Sequence, residues 1–273
     1  EDIPARSNVG DTQDRRLLGV LNLKTGKSVL ADGSFAPAVP DPAGEKPAET
    51  PGTPVPEGRP ARRAERDIRW SMPVVSDDGK HVIASARSAD NKDRWHVALD
   101  PESGKARVVD LLHDDAWVRE AGGGGFGGAA VEFLPDNRRI WFLSERDGWM
   151  HLYTLDVSVE GATPVQLTSG TWEVASAEGA RDGRKFYLTT SEVHPGERHL
   201  YSLPLDGGAR AKITSMVGSH QADVSPDDST LGLVFSYSTK PPEVYVMPNT
   251  VGAPAVQVTT TPTEAWRSFK WID

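Results

Sequence analysis

Apolar residues in this chain gather in short runs separated by polar turn residues, a spacing that suits strands better than helices. The clearest pair is Ile140–Ser144 and Met150–Asp156, joined by Glu145-Arg146-Asp147-Gly148. Asp147-Gly148 supplies the turn, because Gly tolerates positive φ and Asp bonds back to the nearby backbone. The unit recurs along the chain. Asp77-Asp78-Gly79 precedes His81–Ala86 and Trp95–Leu99, and Pro135-Asp136-Asn137 precedes Ile140–Ser144 and His151–Leu155. Asp182-Gly183 precedes Lys185–Thr190 and His199–Leu203, and Pro226-Asp227-Asp228 precedes Leu231–Ser236 and Val244–Met247. The units close with Ala106–Val109, Pro164–Thr168, Arg210–Thr214 and Ala255–Thr259. From Asp78 to Asp136, Asp182 and Asp227 the intervals are 58, 46 and 45 residues. Four short strands per period of about 40–50 residues predict an all-β fold, a β-propeller of four-stranded blades. An irregular β-sandwich with accidental spacing is the competing architecture.

The rest of the chain divides around these units. Residues 1–34 hold a hairpin-like pair, Arg16–Leu21 and Ser28–Leu30, read as the closing half of a blade. Residues 35–66 carry prolines at 37, 40, 42, 47, 51, 54, 56 and 60, which neither donate ladder hydrogen bonds nor bury much surface. They read as a Pro-rich insertion, and residues 67–273 as blades beginning with a strand over Ile68–Val75. A second long connection, Leu111–Gly128, formally spells G-x-G-x-x-G at Gly122, Gly124 and Gly127. The next residues, Ala129–Leu134, alternate like a strand, so no βαβ unit surrounds those glycines and no nucleotide is expected. Four units, a half unit and a final strand at Trp266–Ile272 make an incomplete ring. Its open blade edges predict edge-to-edge self-association or continued binding to the missing part.

Composition narrows the chemistry. The aromatics, Trp 8, Tyr 5 and Phe 7, fall mostly inside the strand runs and suit sheet-on-sheet packing. The chain has no cysteine, hence neither disulfides nor thiolate metal sites. A net charge of −9 without a basic patch argues against a nucleic-acid partner. No apolar run reaches the length of a membrane span. The start at Glu1, with neither Met nor a signal-like segment, reads as processing or excision from something longer. No Gly-x-Ser-x-Gly elbow or His-Glu-x-x-His occurs, so neither a catalytic residue, a metal nor a cofactor is expected within these residues. The acidic pairs Asp114-Asp115 and Asp227-Asp228 read as loop and turn residues rather than acid/base pairs. Glu145, Arg146 and Asp147 are expected to pair locally or with a neighbouring blade. His151 and His199 occupy matching repeat positions, which points to a structural role such as bonding the preceding turn.

Several stretches carry a resemblance. Ser144–Asp156, Leu167-Thr-Ser-Gly-Thr-Trp-Glu-Val174 and His194–Gly208 resemble blade motifs in the propeller of dipeptidyl-peptidase-IV-type members of the prolyl oligopeptidase family. Arg66–Trp70 followed by Ser76–Gly79 is similar to bacterial members, and the likeness covers roughly residues 66–273. The family implies a serine peptidase whose N-terminal propeller gates access for short peptides and contributes substrate-binding residues. The implied partner is a C-terminal α/β-hydrolase domain of the same parent chain, carrying Ser, Asp and His. Trp266–Trp271 resembles the last propeller strand before that domain. The resemblance is compatible with a periplasmic or secreted protein, although cytoplasmic members exist. Dipeptidyl peptidases hold the substrate amine with an acidic pair shortly after a Trp. The matching stretch here, Trp117-Val118-Arg119-Glu120, keeps one carboxylate beside an arginine, which puts removal of N-terminal dipeptides in doubt. Trp117, Arg119 and Glu120 are the candidate substrate-binding residues. Arg119 could meet a peptide carbonyl or carboxylate, or could simply neutralise Glu120. The alternative from another class is a free-standing protein-interaction propeller without peptidase activity.

Overall fold

The computed structural model describes residues 17–37, 66–119 and 131–272, which form two compact units. Strands dominate both. The first unit contains the hairpin of β1 (Gly19–Leu21) and β2 (Ser28–Leu30), then β3 (Ile68–Trp70). The expected strand Ile68–Val75 is interrupted at Ser71-Met72-Pro73, where Pro lacks a ladder donor. Its remainder, β4 (Val74–Val75), belongs to the second unit. β5 (Val82–Ser88), β6 (Asp93–Leu99) and β7 (Ala106–His113) complete an antiparallel sheet ordered β3-β5-β6-β7. Ile68, Ala84, Ala86, Trp95 and Val97 form its core, and Phe35 meets Trp70 and Trp95 edge-on at 5.6 and 5.7 Å. Phe35 and Ala36, at the head of the Pro-rich stretch, thus pack with this sheet; residues 38–65 lie outside the described residues.

The second unit continues with three further four-stranded sheets. The first holds β8 (Glu132–Phe133), β9 (Arg139–Ser144), β10 (His151–Asp156) and β11 (Val165–Gln166). The next holds β12 (Val174–Gly179), β13 (Lys185–Thr190), β14 (His199–Pro204) and β15 (Ala211–Lys212). The last holds β16 (Ser219–Val224), β17 (Thr230–Tyr237), β18 (Lys240–Pro248) and β19 (Val256–Gln257). Each is ordered as in the sequence and antiparallel throughout, the arrangement of a propeller blade.

The three sheets stack face to face. Trp141, Leu143 and Leu152 of one sheet pack on Phe186, Leu188 and Leu203 of the next, with Trp141 edge-on to Phe186 at 5.6 Å. Tyr187 and Leu200 then pack on Leu231, Leu233, Phe235 and Tyr245. At about 25 cal/mol per Å² of buried apolar surface, these seams are the main source of cohesion. Among the described residues, the last sheet buries only one of its faces. Leu231, Leu233, Phe235, Tyr245 and Met247 are buried, while Val234, Val244, Val246 and Val256 alternate with them on an exposed face.

The turn residues do what their spacing predicts. Asn137 and Asp228 adopt φ of 61° and 59°, and Gly79 and Gly183 adopt 72° and 66°. The chain's last turns differ from expectation. Instead of a strand over Trp266–Ile272 there is a short helix, α1 (Glu264–Ser268), capped by Thr263 Oγ1, which accepts from the Trp266 N–H at 3.2 Å. A capping Thr followed by an acid is a helix start, and the Trp266 and Trp271 rings close on each other at 4.1 Å.

Candidate functional site

In each blade of the second unit, the loop joining the second and third strands lies at the end of the sheet where the first strand begins. Thr190, which closes β13, and Val174, which opens β12, face each other there.

A recurring latch organises this end. His151 opens β10, and its Nε2 donates to the Gly170 carbonyl at 3.0 Å. A carbonyl only accepts, so Nδ1 is left to accept from the Thr168 hydroxyl at 3.0 Å. Thr168 Oγ1 in turn accepts from the Leu152 N–H at 3.0 Å. One blade on, the hydroxyl of Thr214 contacts His199 Nδ1 at 3.2 Å and accepts from the Leu200 N–H at 3.0 Å. In the last blade Thr259 donates to Glu243 and accepts from the Val244 N–H at 2.8 Å. The two histidines are therefore structural, in keeping with their recurrence. Each is tied to a threonine beyond the fourth strand, and His199 also reaches Glu197 of the preceding loop at 2.7 Å.

The latch fixes Trp172. His151 meets its ring edge-on at 4.9 Å, and the Arg210 guanidinium lies over it at 4.6 Å, itself paired with Glu192 at 2.7 Å. Next to this held tryptophan is Glu173, whose backbone N–H donates to Ser191 Oγ at 3.0 Å. Its carboxylate receives the Arg119 guanidinium. The Arg119 backbone N–H donates to Glu145 Oε1 at 2.6 Å, and Arg119 Nε lies 3.7 Å from Glu145 Oε2. Two carboxylates from adjacent blades thus hold one arginine, and the hydrogen bond it donates to Glu173 raises its already high pKa. The arginine side chain is still 48% exposed. The cluster carries one negative charge in excess, with donors and acceptors both open to solvent.

Of the sequence candidates, Arg119 lies in this cluster. Trp117 belongs to the first unit, where it is 67% exposed and its backbone N–H donates to Asp114 Oδ1 at 3.0 Å. Glu120 and the glycines at 122, 124 and 127 lie outside the described residues. Glu145, expected to pair locally or across blades, pairs with Arg119. Glu173 is visible in the sequence only inside the Thr-Trp-Glu-Val motif. Among the described residues no group of His, Asp and Glu is arranged to hold a metal ion, and no helix is long and apolar enough to cross a membrane. At the other end of the blades an open cleft of about 450 Å³ is lined by Val75, Asp77, Glu132, Phe133, Pro135 and Arg181.

Residues 39–242 match the family described as Dipeptidyl peptidase IV (DPP IV) N-terminal region. The chain belongs to this family. A probable dipeptidyl peptidase 4 of Aspergillus flavus is 33% identical over 146 residues, covering 50% of this chain and 17% of that protein. A probable dipeptidyl-aminopeptidase B of Tuber melanosporum is 36% identical over 172 residues, covering 58% of this chain and 18% of that protein. The chain thus spans less than a fifth of these relatives. The crystal structure of Porphyromonas gingivalis dipeptidyl peptidase 4 superposes with a TM-score of 0.60 at 17% identity, covering 85% of this chain and 28% of that one. That likeness shows the fold: the DPP IV N-terminal region described here is a β-propeller of four-stranded blades, incomplete in this chain. Its association with peptidases comes from the family.

Proposed function

We propose that this propeller binds and gates short peptides for a serine peptidase domain of the same parent chain, and that Arg119 is its principal polar contact, with Trp117 and Glu120 beside it in sequence. The observation that carries this reading is the Arg119–Glu145–Glu173 cluster at the loop end of the blades. Guanidinium donors suit a peptide carbonyl or carboxylate, and the excess carboxylate suits a cationic group. The Trp117–Glu120 stretch carries one carboxylate, and Glu145 and Glu173 from two other loops bring two more to Arg119. A binding surface need not contain a nucleophile, and the peptidase chemistry is assigned to the α/β-hydrolase partner. A periplasmic or secreted setting fits this role.

The test is equilibrium binding of short peptides to the chain and to its Arg119→Ala variant. Loss of one charge-assisted hydrogen bond of about 1.5–3 kcal/mol weakens binding by roughly 10- to 100-fold. Unchanged affinity would remove Arg119 from the site. In the parent gene, the reading predicts a downstream Gly-x-Ser-x-Gly followed by Asp and His.

A further inference from the structure

The two boundaries between stacked sheets of the second unit share one backbone contact. At the first, the Val174 N–H donates to the Met150 carbonyl at 2.8 Å; at the second, the His220 N–H donates to the Arg198 carbonyl at 3.0 Å. Register makes Val174 and His220 equivalent. Val174 faces Thr190, which pairs with the latch residue His199, and His220 faces Phe235, which pairs with the latch residue Glu243. Both positions are closed to solvent, at 1% and 2% exposure. One boundary is therefore pinned by an apolar side chain and the other by an ionisable one.

The surroundings of His220 favour its neutral form. Its Nδ1 lies 2.7 Å from the Arg198 carbonyl, so Nδ1 carries the proton and Nε2 is a bare lone pair. Among the described residues Nε2 has no hydrogen-bond partner, and it is buried. From β14, His199 faces it with ring centroids 5.1 Å apart, its own nitrogens engaged by Glu197 and Thr214. From β17 comes Phe235 at 4.9 Å, with Tyr245 edge-on behind it and Lys240 over both rings. Burial, His199 and Lys212 of β15 disfavour a charge on His220, against the Arg198 carbonyl and Glu197, and the balance lowers its pKa. His194 lies beyond, close enough to act on Glu197.

We propose that His220 is an acid-sensitive pin, and that placing a proton on its Nε2 opens the boundary between the last two blades. The pin works because a protonated ring would bury an N–H and a positive charge with no acceptor, whereas the open state hydrates both. The boundary then has full strength above the pKa of a free imidazole, about 6.5. It weakens as pH falls from there toward the lower folded value, because opening takes up one proton. In that window the opening constant of the last sheet rises about tenfold per pH unit.

Hydrogen exchange of the intact chain, corrected for the pH dependence of the exchange chemistry, reads this opening segment by segment between about pH 5 and 7.5. The expected result is an acid-dependent opening of 219–247 that is absent from 139–156. His220→Val, the residue that the chain uses at the matching boundary, flattens the dependence. Val174→His installs a comparable one at the boundary of Met150 and Val174, which keeps the test decisive should His220→Val fold poorly. Retention of the slope in His220→Val, its absence in Val174→His, or an NMR titration of His220 at or above the free-imidazole value would overturn the proposal.

Discussion

Replacing Thr168 with valine keeps the shape of a buried side chain and deletes one oxygen. That oxygen accepts from the Leu152 N–H at 3.0 Å and donates to His151 Nδ1 at 3.0 Å, and Thr168 is 2% exposed. The valine variant leaves a backbone donor and an imidazole acceptor buried without partners, each costing about 1–3 kcal/mol. A loss near 3 kcal/mol corresponds to a fall in Tm of about 6–12 °C for a unit of this size. Thr168→Ser keeps the oxygen and loses one methyl, which costs only about 0.8 kcal/mol. Urea unfolding followed by tryptophan fluorescence ranks the pair. The latch requires serine to be the milder change, although valine is the more apolar residue and the better strand former. A valine variant as stable as the serine variant would show that packing, not the hydroxyl, joins the third strand to the segment beyond the fourth.

Other consequences are as direct. The Asp227 carboxylate accepts from Ser225 and Ser229 and is held down to about 2 from 3.8, so the turn contributes stability above the ordinary carboxylate range and loses it as pH falls through about 2. NMR titration checks the midpoint, and in Asp227→Asn the same acid dependence disappears. The exposed valine face of the last sheet favours association, so sedimentation at rising concentration shows species larger than a monomer. Val244→Lys with Val246→Lys restores the monomer with little change in stability; a wild-type monomer at every concentration contradicts the association.

The blades were legible because chain reversal restricts its residues: Asn137, Asp228, Gly79 and Gly183 all sit at positive φ, and few residue types tolerate it. Paired apolar runs between those turns located β9, β10, β13 and β14. The first strands of their blades, β12 and β16, carry no such mark, because β12 is built mostly from small residues and β16 mostly from polar ones, and only one residue of each is buried. At the terminal helix, aromatic content suggests a strand, while the deciding local signal is the Thr263 cap. At the candidate site, a single arginine beside a tryptophan was visible, but its partners stand 26 and 54 residues away. Stacking of blades brings Glu145 and Glu173 to Arg119, and no local pattern encodes that. The threonine latch was hidden for the same reason, since Thr168 and Thr214 look like ordinary strand-end residues.

If this propeller engages peptides through the arginine held between two blades, peptide affinity depends on that side chain. Titrating the chain with short peptides, with Arg119→Ala as the comparison, tests it most directly. Saturable binding that weakens by roughly 10- to 100-fold in the variant is the expected result. Absence of binding, or equal affinity in both proteins, would contradict it.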